Sequence, residues 1–175
     1  AIVVLVDGLG HWNLAMRLGH APYLRSLMNE SANQRPIATC APSTTVAAMA
    51  AFGTGTCPGL TAMAGYTQLE PASHKLIQLI QFKDALAPKP ANPHIPVPPM
   101  VDPLDLQREE TVFEKLAAQE VRVTSSGLPK FSKSPLTEAA LRGTDYQGNV
   151  TPRDRVLAAA RASRTPGLTY LYIRD

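Results

Sequence analysis

The run Ala41-Pro42-Ser43-Thr44-Thr45-Val46 places hydroxyl groups where a loop turns into a helix. Pro42 biases the residue before it towards extended backbone, and Ser43, Thr44 and Thr45 are all helix-capping types. Residues 46–52 are apolar and can carry a short buried helix, with Gly53 and Gly55 as its stop signals. A helix N-terminus presents free N–H groups and a partial positive charge, which suits a phosphoryl oxygen. A threonine hydroxyl there can act as nucleophile once a base or a metal activates it. The competing reading is a Ser/Thr cap on a core helix.

The second candidate is Asp7. Residues 1–6 (Ala-Ile-Val-Val-Leu-Val) read as a strand buried on both faces of a parallel sheet. Asp7 stands at its carboxyl end, where open α/β sheets bind their ligands. Gly8 and Gly10 imitate a dinucleotide fingerprint, but Asn13 holds the third glycine position and Asp7 would repel a pyrophosphate. A haloacid-dehalogenase-like phosphatase needs a second aspartate two residues on, where Leu9 stands. The remaining readings are a hard oxygen ligand for zinc or magnesium, and a cap on the next helix. His11 is close enough in sequence to reach a substrate, whereas Trp12 reads as packing and His20 as a turn residue before Ala21-Pro22.

Positioning these groups falls to a chain of 175 residues, long enough for one domain that buries about 70% of its unfolded surface. Hydrophobic residues make up 45% and charged residues 18%, a globular balance rather than a disordered one. No apolar run reaches 18 residues, so a membrane-spanning helix is not expected. The net charge is +3, but Lys and Arg are scattered, so nucleic acid is not an expected partner either. Cys40 and Cys57 fit neither a disulfide framework nor a zinc pattern, and we read them as reduced, buried thiols of a cytoplasmic protein. No signal peptide is visible, and the chain opens and closes within apolar strands, so residues are expected to be missing on both sides.

Residues 11–30 predict an amphipathic helix broken at Pro22, with Leu14, Leu18, Leu24, Leu27 and Met28 inward. A short strand is expected at 35–39, then a glycine-punctuated loop through Cys57-Pro58-Gly59 and Gly65-Tyr66. Residues 73–82 give no firm assignment. Seven prolines between residues 88 and 103 predict a surface excursion over about 86–104. Thr111-Val112-Phe113-Glu114 is a capping box, opening a helix with Val112, Phe113, Leu116 and Ala117 inward. A strand at 121–125 follows, then a helix from Ser134-Pro135 to Leu141-Arg142 stopped by Gly143. Thr151-Pro152 opens another helix, with Val156, Leu157 and Ala160 inward, and residues 167–173 form the last strand. This alternation predicts an α/β fold: a parallel-rich central sheet with helices on both faces.

These pieces also fall into a known order. The strand ending in Val6-Asp7-Gly8, the Pro42-Ser43-Thr44-Thr45 turn, Thr54-Gly55 nine residues after Thr45, and Pro58 beyond it resemble the type I phosphodiesterase/nucleotide pyrophosphatase family of the alkaline phosphatase superfamily. Residues 111–117, Leu136-Thr137 with Ala140-Leu141-Arg142-Gly143, and residues 168–172 look like its bacterial members, so the resemblance spans nearly the whole chain.

The resemblance implies that residues 1–175 are the N-terminal part of a single alkaline-phosphatase-like catalytic domain. It implies hydrolysis of phosphodiester or pyrophosphate bonds in a small-molecule phosphate ester, such as a nucleotide. The family's cofactors are two divalent metal ions, usually zinc. Carried over, Asp7 is a metal ligand and Thr45 is the nucleophile and a metal contact, chosen over Thr44 because Thr54-Gly55 and Pro58 lie at the family's distances from it. Thr61 and Ala62 stand where members commonly show His-Gly, and Tyr66 takes the place of a phosphoryl-binding asparagine. Tyr66 thereby becomes the substrate-binding candidate, and nucleotide specificity does not carry over. The remaining ligands follow the last strand, where Asp175 is either the first of them or two residues short of it. Alternatives are phosphomonoester, phosphonate or sulfate ester hydrolysis on the same scaffold, and a non-catalytic binding domain in which Asp7 and Thr45 are helix caps.

Overall fold

The computed structural model describes residues 1–30, 36–88, 92 and 97–174. The chain opens with strand β1 (Ile2–Val6), helix α1 (His11–Ala15), a 3-10 turn (Leu18–His20) and helix α2 (Pro22–Glu30). Helices α3 (Thr45–Thr54) and α4 (Pro58–Thr61) follow, then strands β2 (Thr67–Glu70), β3 (Lys75–Gln78) and β4 (Lys83–Asp84). Next come helices α5 (Pro103–Leu106) and α6 (Val112–Ala117), strand β5 (Val123–Gly127), a 3-10 turn (Pro129–Phe131) and helix α7 (Pro135–Ala140). Strand β6 (Asp145–Gly148), helix α8 (Pro152–Ala162) and strand β7 (Leu168–Ile173) complete the order.

Proline sits at the start of α4, α5, α7 and α8, where its fixed φ suits a helix and its missing N–H costs nothing. Thr111, Ser134 and Thr151 cap α6, α7 and α8 through their side chains, and Thr111 with Glu114 forms the expected capping box.

The main sheet is parallel throughout, in the order β1-β7-β5-β6, and helices cover it on both sides. Alternation along each strand assigns the two faces. On one, Val123, Tyr170 and Tyr172 meet α3, α6 and α7; Phe52 and Phe113 stack against the Tyr170 ring with centroids 5.2 and 5.9 Å away. On the other, Ser126 donates a hydrogen bond from Oγ to the Arg155 carbonyl of α8 at 3.0 Å. The core joins the helical face to a small antiparallel sheet in the order β2-β3-β4 through Ile77 of β3, Leu79 and Phe82 of the β3–β4 connection, and Met63 ahead of β2.

Several expectations needed correction. Among the described residues β1 pairs with β7, and Ile2 and Val4 are each 54% exposed rather than buried on both faces. Helix α8 packs over β5, β7 and β6. The helix expected over residues 11–30 is two helices, with Pro22 opening the second. Leu24 and Leu27 are exposed, Leu14, Leu18 and Met28 are only half-buried, and Trp12 is 72% exposed rather than packed. Residues 36–39 form no strand, and Cys57 is exposed and Cys40 half-buried, because both lie on connecting loops.

In α8 the inward residues are Arg155, Ala158, Ala159 and Ala162, while Val156 and Leu157 face outward. The sheet beneath offers the small polar Thr124, Ser126 and Thr169, and alanines let the helix approach that surface closely. β5 starts two residues later than expected, and α4, α5, β6 and the small sheet carried no recognised signal. Of the proline excursion, residues 89–91 and 93–96 lie outside the described residues, and the excursion ends as α5 opens at Pro103.

Candidate functional site

Thr44 and Thr45 are adjacent in sequence but have different tasks. Thr44 is extended (φ −86°, ψ 151°) and is the N-cap of α3: its Oγ1 accepts from the Ala47 N–H at 3.2 Å, and its carbonyl accepts from Ala48. Thr45 is the first helical residue, half-buried, and its hydroxyl is not used for capping. The cap consumes the Ala47 N–H, which leaves the N–H groups of Thr45 and Val46 without intrahelical acceptors at the positive end of the helix.

The Thr45 Oγ1 is 3.0 Å from the Tyr66 hydroxyl, and either oxygen can donate. Tyr66 is 46% exposed and precedes β2; the Leu79 N–H donates to its carbonyl at 2.8 Å. The small antiparallel sheet therefore sets this phenol against the start of α3. Thr61, in contrast, is fully buried and bonds locally, its Oγ1 donating to the Pro58 carbonyl at 3.3 Å.

Asp7 follows β1 directly, its N–H donating to the Ile173 carbonyl at 2.9 Å. It does not cap α1, whose N-cap is Gly10, so the capping reading of Asp7 is overturned. Its carboxylate instead accepts at Oδ2 from the Tyr172 hydroxyl at 2.8 Å. Sequence reasoning missed this partner. The alternation of β7 puts Tyr170 and Tyr172 on one face, but it is the β1–β7 register that sets Tyr172 level with Leu5.

Burial pushes the Tyr170 phenol far above the ordinary tyrosine range, with the Tyr172, Tyr146 and Asp7 charges adding to it. Its hydroxyl is buried with no hydrogen-bond partner among the described residues. His11 opens α1, is exposed, and makes no side-chain hydrogen bond among the described residues. Asp175 lies outside the described residues.

The candidate residues thus fall into two hydrogen-bonded pairs: Thr45 with Tyr66, and Asp7 with Tyr172. Among the described residues no hydrogen bond joins one pair to the other. Concavities lined by Asp102, Leu104, Glu138 and Arg142, and by Glu70, Met100, Asp105 and Arg108, involve neither pair. Of their acids, Asp102 caps α5 and Glu70 accepts from the Ala72 and Ser73 N–H groups.

The donors of the two pairs suit a divalent cation in kind. Asp7 Oδ1 has no hydrogen-bond partner among the described residues, and Thr45 offers a hydroxyl oxygen. They do not complete a coordination sphere, since no group of three or more His, Cys, Asp or Glu that could hold a metal is gathered among the described residues.

Comparison with known proteins gives one result for the whole length. The family model described as "Type I phosphodiesterase / nucleotide pyrophosphatase" matches residues 1–175. No curated protein matches the chain.

Proposed function

The chain belongs to the type I phosphodiesterase/nucleotide pyrophosphatase family, and from that membership we propose that Thr45 is the nucleophile of a phosphodiester or pyrophosphate hydrolase. Thr45 Oγ1 gives up its proton and forms a bond to phosphorus, while the bond from phosphorus to the leaving oxygen breaks and that oxygen gains a proton. Water then attacks the phosphoryl-threonine, returning the free hydroxyl and releasing the phosphate product. The observation that carries this reading is the division of labour at α3: Thr44 does the capping, and the Thr45 hydroxyl, left out of the cap, faces the Tyr66 phenol.

Tyr66 is assigned to the substrate. A phenol 3.0 Å from the attacking oxygen is within reach of a non-bridging oxygen on the phosphorus that this oxygen binds. The unbonded N–H groups at the start of α3 add donors on the same side.

Asp7 and Thr45 are assigned to a site for two divalent metal ions, zinc by family, of which these residues supply part of the ligand set. When bound, such ions act as Lewis acids and neutralise charge developing at phosphorus. The substrate is a small phosphate ester, with a nucleotide as the family's usual case.

The test uses the intact protein with zinc and chromogenic diester, monoester and sulfate substrates. Thr45→Ala is expected to lower diester turnover by several orders of magnitude, whereas Thr44→Ala loses a cap and at most roughly tenfold in rate. Mass spectrometry of quenched reactions is expected to find the phosphoryl adduct on Thr45. Normal turnover by Thr45→Ala, or an adduct on Thr44, would overturn the assignment; preference for a monoester or sulfate would overturn the substrate class.

A further inference from the structure

Tyr172 lies in the core edge, 8% exposed, with its ring held edge-on against Phe131 and the centroids 6.0 Å apart. Register dictates where its hydroxyl goes. Leu5 is level with Tyr172 in the β1–β7 ladder, so Asp7, two residues further on, comes from the same face just past the end of β1. The hydroxyl donates to Asp7 Oδ2 at 2.8 Å. A phenol has one proton to give, so it engages one carboxylate oxygen and leaves Oδ1 with its lone pairs uncommitted. The bond is not needed to attach the strands, which are already paired over five residues from Ile2 to Val6. What it adds is aim: a carboxylate held by one oxygen no longer rotates freely and presents the other in a set direction.

We propose that Tyr172 is the positioning residue of the Asp7 site, holding Asp7 as a one-oxygen ligand for a divalent cation. This deepens the metal-ligand reading of Asp7 and rests on it. Outer partners of metal-binding side chains act in this way, and their loss typically weakens metal affinity by about 10- to 100-fold.

The test is zinc titration of the intact protein against a chelator of known affinity, beside a thermal melt of each metal-free variant. Tyr172→Phe keeps the ring and its Phe131 contact and removes only the hydroxyl. It is expected to weaken zinc binding about tenfold, and to have no further effect when Asp7→Ala is already present. Unchanged affinity in Tyr172→Phe, while Asp7→Ala loses zinc, overturns the positioning role and leaves Asp7 as a ligand. Full zinc affinity in Asp7→Ala overturns the metal reading and the positioning role with it. Infrared difference spectra of the zinc-loaded wild type supply a readout that needs no change at Tyr172, with Asp7→Ala identifying the Asp7 carboxylate band. Coordination through one oxygen is expected, and a chelating mode through both overturns the proposal.

Discussion

At the scale of single residues, Thr45 is distinguished from Thr44 by the capping bond it does not make. Every hydroxyl at a helix start is drawn towards the free N–H groups of the first turn, and Thr44 answers that demand for α3. Thr45 turns to Tyr66 instead. A phenol that donates to an oxygen gaining negative charge strengthens its bond as the charge grows, and such bonds contribute about 1.5–3 kcal/mol. Tyr66→Phe should therefore cost roughly 10- to 100-fold in kcat/KM, while unfolding stability moves by about 0.5 kcal/mol or less because the residue is exposed. Steady-state kinetics beside a denaturant melt check this. An unaltered kcat/KM would remove Tyr66 from the chemistry.

At the scale of elements, α3 has to bring Thr45 to its place while packed on nearly every side, with Val46, Ala47, Met49 and Ala50 all buried. Gly53 lies within the helix rather than at its end, which Gly55 provides in the left-handed conformation (φ 72°). Gly53 is where α3 meets the end of α7: a Cβ added there would stand 1.7 Å from the Ala140 carbonyl oxygen. Alanine favours a helix over glycine by about 0.5–1 kcal/mol, but forcing two backbones apart costs about 1–3 kcal/mol. Gly53→Ala should thus be net destabilising. Gly59→Ala, with nothing within 4 Å of the new Cβ, should be neutral or slightly stabilising. Chemical denaturation of both variants decides, and a Gly53→Ala protein as stable as wild type would contradict the close contact.

At the scale of the whole molecule, the helical face of the main sheet buries tyrosines whose hydroxyls resist ionisation. Burial raises Tyr146 to about 12, partly offset by the nearby Arg155 charge, and raises Tyr170 as well. In the unfolded chain these phenols ionise near the ordinary value of about 10. The unfolded state then binds fewer protons than the native one, so stability is complete below about pH 10 and declines as pH rises through the native values. Thermal melts from pH 8 to 12 should show this loss. Tyr170→Phe should flatten the profile and, since it removes a buried hydroxyl that has no partner among the described residues, should not destabilise the protein at pH 8. A clear fall in melting temperature at pH 8 would mean that the hydroxyl is satisfied after all.

What the sequence alone determined is what local chemistry encodes. Capping types before apolar runs located α3, α6, α7 and α8, and uninterrupted β-branched or aromatic runs located β1 and β7. The order of those pieces carried the family, and with it Asp7 and Thr45 as the residues to watch.

Tertiary structure decided which neighbours they meet. The face of α8 that turned inward was set by the sheet surface awaiting it, where Thr124, Ser126, Thr169 and Leu171 lie buried, so Ala158, Ala159 and Ala162 turned in rather than Val156 and Leu157. The pairing of β1 with β7 was set by strand order, which an apolar run does not specify. Tyr66 reached Thr45 because a small antiparallel sheet folds back on α3, and Tyr172 reached Asp7 because two strands 165 residues apart share a register. Those contacts depend on long-range pairing, and no local window of sequence contains both partners.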